Sequence, residues 1–154
     1  MGVEIERKFL LLDDSWKALG QGVLLRQGYL SSHPDRVVRV RIEGDAAVMT
    51  VKGRTQGTTR SEWEYPLPMA DAKSFLDDLC EKPIIEKVRY RVTHDGMVWE
   101  IDEFLGENTG LVVAEIELEY EEQTFSRPQW LGAEVSSDPR YFNTNLLRHP
   151  YMKW

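Results

Sequence analysis

Met1-Gly2-Val3-Glu4-Ile5-Glu6-Arg7-Lys8-Phe9-Leu10 opens the chain and decides its architecture. In a strand, residues two apart point to the same side of a sheet. Glu4, Glu6 and Lys8 therefore share one face, while Val3, Ile5 and Arg7 share the other. An ordinary half-buried strand turns its apolar face inward and its charges to water. One such strand carries little information. Here the pattern returns down the chain.

Alternating segments, or segments rich in β-branched and aromatic residues, run over Val3–Leu11, Leu25–Leu30, Arg36–Glu43, Ala47–Lys52, Arg60–Pro66, Ile84–Val92, Val98–Phe104 and Val112–Tyr120. Glu43-Gly44-Asp45 and His94-Asp95-Gly96 punctuate two of the junctions as tight hairpins. Gly53 to Gly57 mark a longer loop. The spacing predicts an α+β chain, predominantly β, with about eight antiparallel strands closed into a barrel. Helices are few. Asp13–Leu19 suits a short one, and Pro128–Leu131 a single turn. Ala70–Glu81 sets Ala72, Phe75, Leu76 and Leu79 on one face before Pro83. Asp138-Pro139 predicts a cap and first helical position for a last helix ending near Leu147. No repeat or linker divides residues 1–154, so one domain is expected.

Charges recur at spacing two on nearly every strand: Arg39 and Arg41; Lys52 after Thr50; Glu62 and Glu64; Lys87, Arg89 and Arg91; Glu100 and Asp102; Glu115, Glu117 and Glu119. The residues between them are largely apolar. Two arrangements satisfy this string. With the charges outside, the apolar faces fill a small barrel. With the charges inside, the lumen carries cations from some strands and carboxylates from others. Buried charge is expensive unless paired, hydrated or bound to ions. Such a lumen calls for a highly charged ligand with metal ions, and its outer apolar faces need cover, for which Ala70–Glu81 and the last helix are available.

Composition narrows the classes. The 154 residues are 42% hydrophobic and 29% charged, as in a globular protein with a sizeable core. A net charge of −7 argues against general nucleic-acid binding, although basic residues can still concentrate in one pocket. No apolar run approaches the roughly 20 residues of a membrane helix. The chain opens on an acidic strand where an export signal carries a basic start and an apolar stretch, and it holds one cysteine, Cys80; both favour the cytoplasm. Cys80 reads as a packed side chain rather than a nucleophile. His33, His94 and His149 are scattered without zinc spacing. The tryptophans read as packing groups.

Glu4-Ile5-Glu6-Arg7-Lys8 resembles the E-x-E-x-K signature of the CYTH family, also called triphosphate tunnel metalloenzymes. The likeness covers nearly the whole chain, since Arg39/Arg41, Thr50–Gly53, Arg60–Tyr65, Lys87–Tyr90, Trp99–Phe104 and Ala114–Glu119 follow in family order. The resemblance implies an eight-stranded tunnel with inward charges, acting on triphosphates with Mg²⁺ or Mn²⁺. By position, Lys8, Arg39, Arg41, Lys52, Lys87 and Arg89 are implied to grip phosphates, a task suited to Arg and Lys. Glu4, Glu6, Glu115 and Glu117 are implied to hold the metal, which prefers oxygen ligands. Glu62, Glu64, Glu100 and Asp102 are implied as supporting carboxylates. They would orient cations, bind metal through water or hold the tunnel open electrostatically. Lys8, Tyr29 and Glu117 are the implied catalytic residues: Glu117 to activate water, Lys8 to stabilise charge or assist proton transfer. In small bacterial-type members a second-strand tyrosine partners this lysine, and Tyr29 matches its place. A barrel-wall aromatic explains Tyr29 equally well. Arg140 and Asn145 are candidates for the tunnel mouth or the plain surface.

The expected activity is hydrolysis of the terminal phosphoanhydride of triphosphates, foremost inorganic tripolyphosphate. The alternatives are a class IV-type adenylate cyclase, a nucleoside or thiamine triphosphatase, a non-catalytic polyphosphate-binding module, and a structural barrel with solvated charges. The expected partner is a small-molecule triphosphate, with neither nucleic acid nor membrane, for a monomer or homodimer.

Overall fold

The computed structural model describes residues 2–154. Its strands are β1 (Gly2–Leu11), β2 (Gly22–His33), β3 (Arg36–Glu43), β4 (Ala46–Gly53), β5 (Thr59–Pro66), β6 (Ile85–His94), β7 (Met97–Phe104), β8 (Val112–Glu117) and β9 (Leu131–Glu134). They pair in the order β5-β4-β3-β2-β6-β7-β8-β1-β9, and β1 also pairs with β5, so the first eight form an antiparallel ring. Two hairpins carry the expected turn chemistry. Asp95 and Gly96 both take positive φ (47° and 76°), as a two-residue primed turn requires, and Gly44 takes φ 57° in the other.

β1 closes the ring by sharing one edge between two partners. Gly2–Ile5 pair with β5, Phe9 and Leu11 pair with β9, and the opposite edge runs along β8 from Glu6 to Phe9. The spacing does not predict β9, which begins at Leu131, the last residue of the helical turn expected over Pro128–Leu131. The edge of β1 beyond Ile5 would otherwise leave backbone donors and acceptors unpaired, and β9 takes them up.

Two clusters coat the outside of the ring. α1 (Met69–Ser74), extended by a wide π turn over Phe75–Leu79, lays Ala72, Leu76 and Cys80 on Val40 and Ile42. The π turn advances the helical phase by one residue. Leu79, expected on the buried face, is 64% exposed, and Cys80 is buried in its stead. Gly28 of β2 lies beneath this crossing, where a Cβ would stand 2.8 Å from Cys80 Cβ. On the other flank Trp16, Trp130 and Phe125 cover Phe9, Trp99 and Ile116, with Trp99 edge-to-face against Phe9 at 5.6 Å.

The third cluster is inside. Val37, Ile85, Phe104 and Val113 share strand faces with Arg39, Lys87, Asp102 and Glu115, and they pack on Tyr141, Leu146 and Leu147. The last helix is therefore not an outer cover. A capped 3₁₀ turn (Pro139–Tyr141) and α2 (Asn143–Arg148) stopper one end of the ring, because the inward strand faces turn apolar there. No helix among the described residues is long and apolar enough to cross a membrane.

Candidate active site

The ring encloses a cavity of about 650 Å³. Every proposed site residue except Asp102 lines it: Glu4, Glu6, Lys8, Tyr29, Arg39, Arg41, Lys52, Glu62, Glu64, Lys87, Arg89, Glu100, Glu115 and Glu117. The charges point inward. Asp102 has no exposed surface and lies behind two of the cations. Asn145 also lines the cavity, whereas Arg140 pairs with Asp138 at 2.8 Å outside it.

Acidic and basic strands are mixed in chain order but segregate around the ring. The run β4-β3-β2-β6 carries Lys52, Arg39, Arg41, Lys87, Arg89 and Arg91. The run β7-β8-β1-β5 carries Glu100, Asp102, Glu115, Glu117, Glu4, Glu6, Glu62 and Glu64, interrupted by Lys8 and Arg60. A cationic half-wall thus faces an acidic one.

Most of the cations already have carboxylate partners. Arg89 holds Asp102 in a two-pronged pair at 2.7 and 2.8 Å, and Lys87 reaches the same carboxylate at 2.8 Å. These contacts hold Asp102 down at about 2 against the opposing effect of its burial. Burial, then Arg89 and Arg41, bring Lys87 down to about 8 despite Asp102. Lys52 lies 3.0 Å from Glu4 and 3.4 Å from Glu62. Arg39 and Arg41 differ. Neither has a carboxylate within ion-pair distance among the described residues; Arg39 donates to Thr50 Oγ1 at 3.1 Å, and its buried Nε has no partner. Arg41 donates to Gln27 Oε1 at 3.3 Å. Burial, then Arg39 and Arg89, lower Arg41 to about 10, so it remains charged at neutral pH.

The carboxylates meet in two pairs. Glu6 and Glu115 are hydrogen-bonded; burial and then Glu115 raise Glu6 well above the usual range. Burial opposes the Glu115 charge, yet Lys8, Glu6, Lys87 and Arg89 hold it well below. Glu62 is hydrogen-bonded to Glu4 and is raised to about 7, by burial first and then by Glu4. Glu117, opposite Glu6 in the β1–β8 register, is raised by burial and then by Glu4 and Glu100. Oxygen-only donors that must share protons suit a hard divalent cation, which would replace the proton between them. Among the described residues no three acidic groups converge on one point. A cation held there would complete its shell with phosphate oxygens and water, the habit of Mg²⁺.

Glu62 gives a pH test. Held at about 7 against an ordinary 4.5, it binds its proton more tightly in the folded chain than in the unfolded one. Its contribution to stability is complete below pH 4.5 and is lost as pH rises through 7. In metal-free protein, Glu62→Gln should therefore melt higher than the parent at pH 8, with that advantage gone or reversed at pH 4.5. An advantage that is the same at both pH values would refute the assignment.

Lys8 Nζ donates to the carbonyl oxygen of Tyr141 at 3.2 Å, leaving ammonium protons for the cavity. The Tyr29 hydroxyl accepts from Gln27 Nε2 at 3.1 Å. Gln27, Arg60 and Asn143 are absent from the residues singled out by charge spacing. Arg60 was legible, since it shares the face of Glu62. Gln27 carries no charge, and Asn143 comes from outside the strands, so the alternation does not reach them.

Residues 2–151 match the model of the CYTH domain. The chain belongs to the CYTH domain family. A protein of Acetivibrio thermocellus named inorganic triphosphatase is 52% identical to this CYTH chain over 151 residues, 98% of this chain and 97% of its own. One of Nitrosomonas europaea with the same name is 37% identical over 147 residues, 93% and 95% of the two chains. The crystal structure of the inorganic triphosphatase NE1496 is similar with a TM-score of 0.64 at 34% identity, covering 93% of this chain and 96% of its own.

Proposed function

We propose that this CYTH chain hydrolyses the terminal phosphoanhydride of triphosphates, with inorganic tripolyphosphate preferred and Mg²⁺ or Mn²⁺ as the metal. The observation that carries this reading is that Arg39 and Arg41, two arginines of the cationic half-wall, have no carboxylate partner while facing the carboxyls of the acidic one. Those positive charges need an anion with several oxygens, and the acidic wall needs cations. A metal-bearing triphosphate meets both needs at once. The names of the two relatives and of the structural neighbour support the same substrate.

Carboxylates of the set Glu4, Glu6, Glu115 and Glu117, no three of which meet at one point, would hold the divalent cation, which would supply charge neutralisation and polarise the phosphate oxygens. Arg39 and Arg41 clamp non-bridging oxygens, and Lys52, Lys87 and Arg89 extend the clamp. Water attacks the terminal phosphorus. As that P–O bond forms, the bond to the bridging oxygen breaks, and its electrons leave with pyrophosphate. Glu117 takes the proton of the attacking water. Lys8 stabilises the negative charge that builds up. Because the Tyr29 oxygen accepts from Gln27, its own O–H proton is available to the cavity. We place the reaction in one tunnel domain in the cytoplasm, in keeping with the unpaired, buried Cys80.

Phosphate release should be measured with tripolyphosphate, ATP and thiamine triphosphate under each metal, with cyclic AMP followed alongside. Tripolyphosphate should give the highest kcat/KM, and Glu117→Gln should lower its kcat by about 10²-fold or more. Cyclic AMP as the main product from ATP, or near-normal rates in both Glu117→Gln and Lys8→Ala, would overturn the scheme.

A further inference from the structure

Arg41 and Lys87 lie on β3 and β6, the strands flanking β2. Between them Gln27 has no exposed surface. Its Oε1 accepts from Arg41 Nε at 3.3 Å, and its Nε2 donates to the Tyr29 hydroxyl at 3.1 Å and to Asn143 Oδ1 at 3.2 Å. Asn143, the first residue of α2, accepts at the same Oδ1 from Lys87 Nζ at 3.0 Å. Both N–H donors of the Gln27 amide and both lone pairs of Asn143 Oδ1 are engaged. The amide orientation is therefore dictated. Turned over, Gln27 would set N–H against N–H at Arg41 and oxygen against oxygen at Asn143.

The chemistry of the holding group matters. Arg89 and Lys87 are held by a carboxylate, Asp102, which neutralises charge. Arg41 is held by a neutral amide, which fixes Nε and leaves the full charge and both terminal nitrogens for an anion. A carboxylate in that place would compete with phosphate. We propose that Gln27 and Asn143 are positioning residues: through them α2 presets Arg41 and Lys87 for the phosphate chain and so sets the affinity of the cavity. The identity of the anion rests on the triphosphatase reading; the positioning does not.

The test is kinetic and calorimetric. Gln27→Leu and Asn143→Ala should each raise KM for tripolyphosphate about tenfold, the loss of one hydrogen bond to a charged group, with kcat changed far less. The double variant should be scarcely worse than the poorer single one, because both act through one chain of contacts. Gln27→Glu, which keeps the shape and neutralises Arg41, should raise KM at least as much as Gln27→Leu. Titration of tripolyphosphate without added metal should show the same weakening, a readout that needs no turnover. If the parent binds but releases no phosphate, and the variants bind more weakly, the triphosphatase reading fails while the positioning stands. KM and Kd within twofold of the parent in both Asn143→Ala and Gln27→Glu would overturn the positioning, even if melting temperatures fell. Should Gln27→Leu not fold, Asn143→Ala decides, since its side chain is only half buried.

Discussion

Asp102→Asn is expected to lower the free energy of unfolding by about 3–5 kcal/mol, the range for breaking a buried pair from one side. The substitution keeps the size of the side chain and removes only its charge. Lys87 and Arg89, 1% and 4% exposed, would then share no fully buried anion. Deleting both partners of a buried pair can be nearly neutral, but deleting the anion beneath two cations cannot. Acid should reproduce part of the effect. Because Asp102 is held at about 2, below an ordinary 3.8, its contribution is present above pH 3.8 and is lost as pH falls through 2. Urea unfolding of the two proteins at pH 7 measures the difference; a change below about 1 kcal/mol, the scale of an exposed pair, would contradict the account.

Arg41→Ala is expected to lower kcat/KM for tripolyphosphate by about 10²–10⁴-fold, the loss of two charge-assisted hydrogen bonds at about 1.5–3 kcal/mol each. The cavity cations differ in how far their charge is already used. Lys52, Lys87 and Arg89 have carboxylate partners, so part of their field is neutralised before any ligand arrives. Arg41 has only the Gln27 amide. Arg41→Lys should recover part of the loss, because the charge returns without the two-pronged fork. A fall in kcat/KM of less than threefold in Arg41→Ala would show that the arginine lies off the path of the substrate.

The ring was legible because strand alternation has period two and each strand repeats it. Glu4/Glu6, Arg39/Arg41 and Glu115/Glu117 announce one face each, and Asp95-Gly96 announces a turn. What alternation cannot say is which face is inside, because charge-in and charge-out barrels share the same string. The answer lies in long-range cover: Trp130 and Phe125 come from an irregular stretch with no periodic signal, yet they coat Phe9 and Trp99. The segregation of acid from base was hidden for a related reason. It depends on β2 pairing with β6 and on β1 pairing with β5 and β8, pairings made between residues distant in the chain. Leu79 was misplaced because a π turn shifts the phase of a helix without a local marker. Asn143 escaped notice because the stopper at the end of the ring follows the last strands and has no pattern in common with them.

On the reading proposed above, the inward charges receive a polyanion and its metal together. A crystal structure with tripolyphosphate and Mn²⁺, using the anomalous signal of the metal, tests it most directly. Phosphate oxygens should lie on Arg39 and Arg41 within the ring, with Mn²⁺ between them and the Glu6–Glu115 pair. Tripolyphosphate bound only on the outer surface, with the ring's interior filled by water alone, would contradict it.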